Sequence, residues 1–492
     1  MNLKLKQVIY FLSLSLVSFI VLLTACSKDP QVIDYGDFPL EIGKIFANKC
    51  STSGCHNDKS NANCESFNMA SFTTLFLGSE HGSPVIPYRS DFSTLCNLVN
   101  TYSDLGFISN PTMPLNANAL SKEEVVIIKN WIDHGAPDKD GKVMWSDNPN
   151  RKKYYVLNQG CDVVTVCDAE TQLPMRYITV GNLPTTEVPH MIRVSPDGNY
   201  WYVVFVNNNI LQKYRTMDDL LVGEIDLGKD VSNNPFNNWN TITISNDGKK
   251  AYCVSWQGNS RVAAVDIENM KLIHNIGGTT YAHGSALNKT NDTLYVTSQS
   301  GNYIYKVDTG LTTFNQVVLD LSGIPNNTVG TLDPHEIIFS PDGTKYFVSC
   351  QASNEIRVMS TLSNVLLQVI PTGKTPLEIV KSNLQQKLYV TCQDEPNATN
   401  TLQKGCVTVI DMNSYGATNY PVGFQPHGIT LDETNGYVIV ASRNVLSSGP
   451  PPHHTNACGR TGFVNYFKIA TMELLEKETV VASDPYSIAI RP

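Results

Sequence analysis

Charge is scarce in this sequence. Only 16% of its 492 residues are Asp, Glu, Lys or Arg, and 36 Lys and Arg are outnumbered by 45 Asp and Glu, for a formal charge of −9. No stretch gathers Lys and Arg into a patch, so the electrostatic footprint of phosphate binding is missing and nucleic acid is not an expected partner. Helical periodicity is equally scarce. Outside one early region apolar residues do not recur at i, i+3 and i+4, while Gly, Asn, Thr and Val are plentiful, a balance that predicts a mainly β protein. The usual signatures of hydrolysis and group transfer are also missing: no Ser-His-Asp set, paired carboxylates or phosphate-cradling turn stands out. Whether the chain is an enzyme is therefore open, and an oxidoreductase is the class to expect if it is.

The length permits more than one hydrophobic core, so two unequal domains are expected. Lys4 and Lys6 precede an apolar run from Val8 to Leu23, the layout of a secretory signal and short for a membrane span. The run ends in Leu23-Thr24-Ala25-Cys26, followed at once by Ser27-Lys28-Asp29-Pro30. This stretch resembles the lipobox of bacterial lipoproteins, which implies a signal peptide over residues 1–25, a lipidated Cys26 and a lipid anchor in the cell envelope. Ser27 lacks the acidic side chain that retains some lipoproteins at an inner membrane, so the resemblance favours the outer membrane, facing the periplasm or the surface. Twelve cysteines suit such an oxidising setting. With Cys26 given to lipid, the odd number left means that at least one is free or that two serve something other than each other.

After a linker over residues 26–38, residues 39–50 read as an amphipathic helix with Ile42, Ile45 and Phe46 on one face, running into Cys50-Ser-Thr-Ser-Gly-Cys55-His56. Two thiols followed directly by an imidazole are what covalent haem needs: the thiols reach two vinyl groups on one porphyrin edge and the His meets the iron from one face. Four residues separate the thiols where two are commoner, so the extra pair must bulge away from the ring. The other reading is a local Cys50–Cys55 disulfide beside a surface histidine. Downstream, Met113-Pro114 precedes a capping box, with Ser121 as N-cap and Glu124 at N3. A helix bearing Val125, Ile127, Ile128, Trp131 and Ile132 follows, stopped by Gly135 ahead of Pro137.

Together with Trp131-Ile132-Asp133-His134-Gly135-Ala136-Pro137, these features make residues 39–145 resemble small cytochromes c of the type found in Planctomycetes and Bacteroidetes, many of which share the long spacing. The resemblance implies a small all-α domain with one covalent haem c on Cys50 and Cys55, His56 as proximal ligand and Met113 as distal ligand; His81 and His134 are the other candidates for the distal position. A disulfide between Cys64 and Cys96 would suit this small core.

After a short polar join over residues 146–153 the chain repeats itself. The second strands of the repeat read Trp201-Tyr-Val-Val-Phe, Tyr252-Cys-Val-Ser-Trp, Tyr295-Val-Thr-Ser, Tyr346-Phe-Val-Ser-Cys, Tyr389-Val-Thr-Cys and Tyr437-Val-Ile-Val. Gln257, Gln299, Gln351 and Gln393 recur 42, 52 and 42 residues apart, and Ser195-Pro-Asp-Gly198, Asn246-Asp-Gly248 and Ser340-Pro-Asp-Gly343 supply the turns before three of these strands. A period near 40 to 45 residues with three or four strands per unit predicts propeller blades. Six whole units begin near His190, Asn240, His283, His335, Pro376 and His427, and residues 154–181 supply only the outer strands of a seventh. Tyr486-Ser-Ile-Ala-Ile490 is its missing inner strand, which closes the ring over residues 154–492 and removes its open edge. Pro-His-Gly-Ile, Ser-Pro-Asp-Gly and Leu-Tyr-Val-Thr make the repeats resemble the YVTN family of seven-bladed propellers, a resemblance that specifies fold and not activity.

Residues just before each inner strand should ring one mouth of the central channel: His190, Trp239, His283, His335, Leu377, His427 and Tyr486. Four imidazoles there are candidates for a second metal, against the plainer reading that each bonds a neighbouring blade. His453, His454 and Cys458, in a Pro-rich loop of the last blade, are a second such candidate set. This loop and the one from Asp394 to Lys404 are the expected contact surfaces for a partner. Cys161 and Cys167, placed on one strand, are too far apart to bridge; Cys392 and Cys406 flank a loop and can pair across its base. The expectation is an electron-transfer lipoprotein whose propeller binds a redox partner protein or small-molecule substrate. The alternatives are a propeller binding or scaffold protein without a redox role, and an oxidoreductase with a second metal in the channel.

Overall fold

The computed structural model describes residues 34–64, 66–79, 82–228, 238–395, 404–443 and 461–492. From Lys153 onward the chain is a mainly β, seven-bladed propeller of seven four-stranded antiparallel sheets. Second strands such as Tyr200–Phe205, Lys250–Ser255 and Thr293–Ser298 are buried along nearly their whole length. Each face of a blade packs on the next blade, so these strands read as near-continuous apolar runs rather than alternating ones. Outermost strands such as Leu221–Asp226 are half-buried or exposed throughout. Between blades one and two, Tyr155 and Trp201 join Val164, Val203 and Phe205 in one core, and Trp201 stacks on Tyr214 at 3.9 Å.

The Asp-Gly turns of three blades are built alike. In each, a serine hydroxyl bonds the Asp two residues on (Ser195 to Asp197, 2.5 Å; Ser245 to Asp247, 2.6 Å; Ser340 to Asp342, 2.5 Å). The following Gly198, Gly248 and Gly343 adopt φ near +70°, a conformation costly for any residue with a Cβ.

Blade one is completed as expected. Pro485–Ile490 pairs antiparallel with Lys153–Asn158, setting Tyr154 against Ile490 and Val156 against Ile488. A buried Arg443–Asp484 ion pair at 2.6 Å and a Lys152–Asp432 pair at 2.8 Å tie this closing sheet to blade seven. The ring thus has no open sheet edge at its junction.

Residues 34–145 carry four α-helices among the described residues: α1 (Leu40–Lys49), α2 (Phe72–Leu75), α3 (Thr94–Val99) and α4 (Lys122–Asp133). In α4 both halves of the capping box form, Ser121 accepting from the Glu124 amide and Glu124 from the Ser121 amide. Gly135 ends the helix at φ 98°. Ile42, Ile45 and Phe46 of α1 and Val125, Ile128, Trp131 and Ile132 of α4 meet in one core, with Phe46 edge-on to Trp131 at 6.0 Å. No helix among the described residues is long and apolar enough to cross a membrane.

This region is docked rather than tethered. Leu173 and Met175 of blade one belong to its core, Phe92 stacks on Tyr177 at 4.4 Å, and Arg89 donates to the Tyr177 carbonyl at 3.2 Å. The join is pinned as well, because Arg491 donates to the carbonyls of Pro149 and Arg151 while Arg151 pairs with Asp168.

Candidate functional site

Two places concentrate chemistry-bearing side chains. The first follows α1. Cys50 caps the helix, its amide donating to the Phe46 carbonyl, and the chain turns back so that the His56 amide donates to the Cys50 carbonyl at 3.1 Å. The two extra residues of the long spacing are absorbed where Ser53 and Gly54 bulge into solvent, Gly54 at φ 82° with nothing near it. Burial and then the neighbouring Cys55 push the Cys50 thiol up to about 12. His56 Nδ1 donates to the Phe67 carbonyl at 3.2 Å, and the two rings lie 5.1 Å apart. Met113, anchored by its amide to the Leu98 carbonyl at 2.7 Å, is half-buried on the same core, as are Phe67, Tyr102, Leu105 and Ile127. Beside it Phe107 and Leu115 are 70% and 55% exposed.

Of the other distal candidates, His134 is exposed at the end of α4, bonded to the Asn130 carbonyl at 2.7 Å, and His81 lies outside the described residues. Cys64 and Cys96 are both free thiols, so the disulfide expected between them is not formed; Cys96 is buried in the helical core while Cys64 follows a 3-10 turn and is half-buried.

The second place is the channel mouth. His190, His283, His335, His427 and Tyr486 form a closed girdle of rings, with successive centroids 5.5, 4.0, 5.5 and 3.6 Å apart and 4.4 Å from Tyr486 back to His190. Each of three imidazoles donates through Nδ1 to a carbonyl on another blade: His190 to Asn240 (2.7 Å), His283 to His335 (3.3 Å) and His427 to Tyr486 (2.9 Å). Burial holds His283 down at about 4, so it is neutral at physiological pH. No group of three or more His, Cys, Asp or Glu among the described residues is arranged to hold a metal ion. His453, His454, Cys458 and Cys26 lie outside the described residues.

One member of the expected girdle is corrected. Trp239 pairs with Ser255 as Pro189 pairs with Phe205 and Pro334 with Cys350, which puts it one register position before the histidines. Its indole turns into the core between blades two and three and donates to Asn209 at 2.8 Å; Asn240 takes the ring position. Trp239 stands where other repeats carry Pro189 and Pro334, and without the Pro-His pair this repeat has no sequence mark of its register. A second correction concerns Cys161, which sits in the 3-10 turn Gln159–Cys161, not on the strand of Cys167. Cys161 is disulfide-bonded and Cys167 is free, so the two do not bridge. Cys392 and Cys406 are direct cross-strand partners and remain thiols.

Sequence reading missed the carboxylates. Glu336 and Glu378, one residue past the girdle on blades five and six, are 4% and 5% exposed. Burial, then Glu378 beside it, pushes Glu336 up to about 8, and burial raises Glu378 as well. Arg193 of blade two approaches Glu378 Oε2 at 3.9 Å. The available signal was a Glu at the same place in two repeats, Pro-His-Glu336 and Pro-Leu-Glu378, where the others carry Met191, Thr241, Gly284, Gly428 and Ser487.

No protein-family model matches the chain, and no curated protein matches it. Solved structures that resemble it include a functionally unknown protein from Desulfotomaculum acetoxidans (16% identity, 68% of this chain and 99% of that one, TM-score 0.48). Others are Kuenenia stuttgartiensis hydrazine synthase (16%, 64% and 93%, 0.49) and a candidate 6-phosphogluconolactonase from Bacteroides uniformis (14%, 69% and 100%, 0.48). The propeller assignment rests on the seven sheets of this chain itself.

Proposed function

We propose that the chain is a haem c electron-transfer lipoprotein of the bacterial cell envelope, lipid-anchored through Cys26, with residues 39–145 as a cytochrome c-like unit and a YVTN-type propeller that binds a redox partner protein or a small-molecule substrate. One observation carries this reading: His56, directly after the second thiol, has its Nδ1 proton committed to the Phe67 carbonyl. That bond selects the tautomer whose lone pair is on Nε2, the form in which imidazole ligates iron, and it fixes the ring orientation. Cys50 and Cys55 would hold the group through thioethers, and the Met113 thioether would complete the ligands. The half-buried Phe67, Tyr102, Leu105 and Ile127, with exposed Phe107 and Leu115, offer apolar surface to shield a porphyrin from water. When bound, haem c supplies one-electron chemistry between ferrous and ferric iron, and a thioether opposite imidazole raises its potential.

The test is a pyridine haemochrome spectrum with total metal analysis on protein made in a host that matures haem c, comparing the native sequence with Cys55→Ala. One covalent haem per chain, lost in the variant, is expected. Copper or a second iron would direct attention to the histidine girdle. Absence of haem from the native protein sinks the electron-transfer reading and leaves a propeller binding protein.

A further inference from the structure

At the girdle and one residue past it, the propeller channel gathers buried oxygen atoms that accept hydrogen bonds and find no donor. Glu336 spends Oε1 on the Ile337 amide at 2.9 Å, and Glu378 turns Oε2 toward Arg193. Glu336 Oε2 and Glu378 Oε1 are buried and without a hydrogen-bond partner, as are Asn240 Oδ1 and Thr241 Oγ1 on blade three. Thr241, Glu336 and Glu378 share one register position, each two residues past an equivalent ladder pair of its inner strand: Trp239 with Ser255, Pro334 with Cys350 and Pro376 with Cys392. Gly284 shares that position on blade four, between Thr241 and Glu336. A Cβ there would meet Glu336 Oε1 at 2.9 Å and the Glu336 Cα at 2.7 Å, so glycine leaves the space that the carboxylate needs.

We propose that this level of the channel is a binding site for one hard divalent cation, Ca²⁺ or Mn²⁺ in chemical class, held by Glu336 and Glu378 from adjacent blades with the Asn240 and Thr241 oxygens of a third blade. The unsatisfied atoms are oxygens, which suit a hard cation and not a soft one. Once a cation displaces their protons, two carboxylates outweigh the single Arg193 in charge. Orphaned buried acceptors are rare in folded proteins and call for an ion or water. Two positions further along the strands of Glu336 and Glu378, Ile338 and Val380 line a cavity of about 500 Å³ that opens toward solvent. The site differs from the histidine girdle in donor type, shares only Asn240 with it, and does not depend on haem.

The experiment is calorimetric titration of the EDTA-treated full-length protein with CaCl₂ and MnCl₂, read beside the melting temperature with and without Ca²⁺. One ion per chain and a raised melting temperature are expected. Glu336→Gln and Glu378→Gln should each weaken binding at least about tenfold and Thr241→Val less, as loss of a ligand or its support does in metal sites, while Glu170→Gln on the surface changes nothing. If a glutamine variant does not fold, Thr241→Val and the wild-type melting shift decide. No ion bound by the wild type overturns the proposal and leaves a carboxyl pair sharing a proton. Binding that persists unchanged in Glu378→Gln overturns it too.

Discussion

The helical region and the propeller assemble their chemistry in opposite ways. Around His56, most groups that matter lie within seven consecutive residues, Cys50 to His56, and the fold adds chiefly the Phe67 carbonyl that orients the imidazole. In the channel, the girdle takes one side chain from each of five blades, and the carboxylate pair joins residues 42 positions apart in the chain. A local motif is visible because helix and turn geometry fix it within a few residues. A channel site exists only once the blades have closed into a ring. The two regions also differ in what stabilises them: aromatic and aliphatic contacts between two helices in one, stacked blades completed by a C-terminal strand in the other.

Removing that strand should break the comparison most severely. Deleting residues 485–492 exposes the edge of blade one and takes Tyr486 from the girdle. The expected outcome is loss of cooperative unfolding, with aggregation seen by light scattering; a truncated protein that melts like the full chain would refute closure by this strand. Next in size are Trp201→Ala, between blades one and two, and Trp131→Ala, between α1 and α4, each expected to cost about 3–5 kcal/mol. Because Leu173, Met175 and Tyr177 join the two regions, both variants should lower one shared calorimetric transition. Two separate transitions would show that the docking contributes little.

A smaller, pH-dependent effect separates the channel from the helical core. Glu336 lies at about 8 in the folded chain against an ordinary 4.5, so between those values the native state holds a proton that the unfolded state has released. Stability from this group is present below pH 4.5 and lost as pH rises toward 8. In EDTA, Glu336→Gln should flatten the fall of melting temperature over that window; an unchanged profile would mean that the carboxyl ionises freely. Smallest is Ser121→Ala, which removes half of the α4 capping box and should cost about 1 kcal/mol by denaturant titration, without altering the channel's pH profile.

Much of the fold was legible in sequence. The Ser121 capping box, the apolar faces of α1 and α4, the blade turns and the closing strand all formed where the residues pointed, because each depends on local hydrogen bonding or on an unpaired edge that must be covered. Trp239 was misplaced by one position, since its repeat lacks the Pro-His pair that marks the register in repeats such as that of Pro189-His190 and carries Trp-Asn instead. The expected Cys64–Cys96 bridge is absent, since only Cys96 is buried in the helical core while Cys64 is half-buried after a 3-10 turn, a difference that spacing does not reveal. The Glu336–Glu378 pair escaped notice because each glutamate alone resembles a surface residue, and only burial makes the two a site.

By itself, the sequence determined the repeat, its number of blades, the ring closure and the order of thiols and imidazole after α1. These follow from periodicity and spacing along one chain. Only the tertiary structure decided which side chains line the channel, that two carboxylates meet there beside Arg193, that Cys161 is bonded while Cys167 is not, and that the helical region is docked on blade one. Those outcomes depend on register, burial and approach between distant segments, quantities that come into being only when the ring is closed.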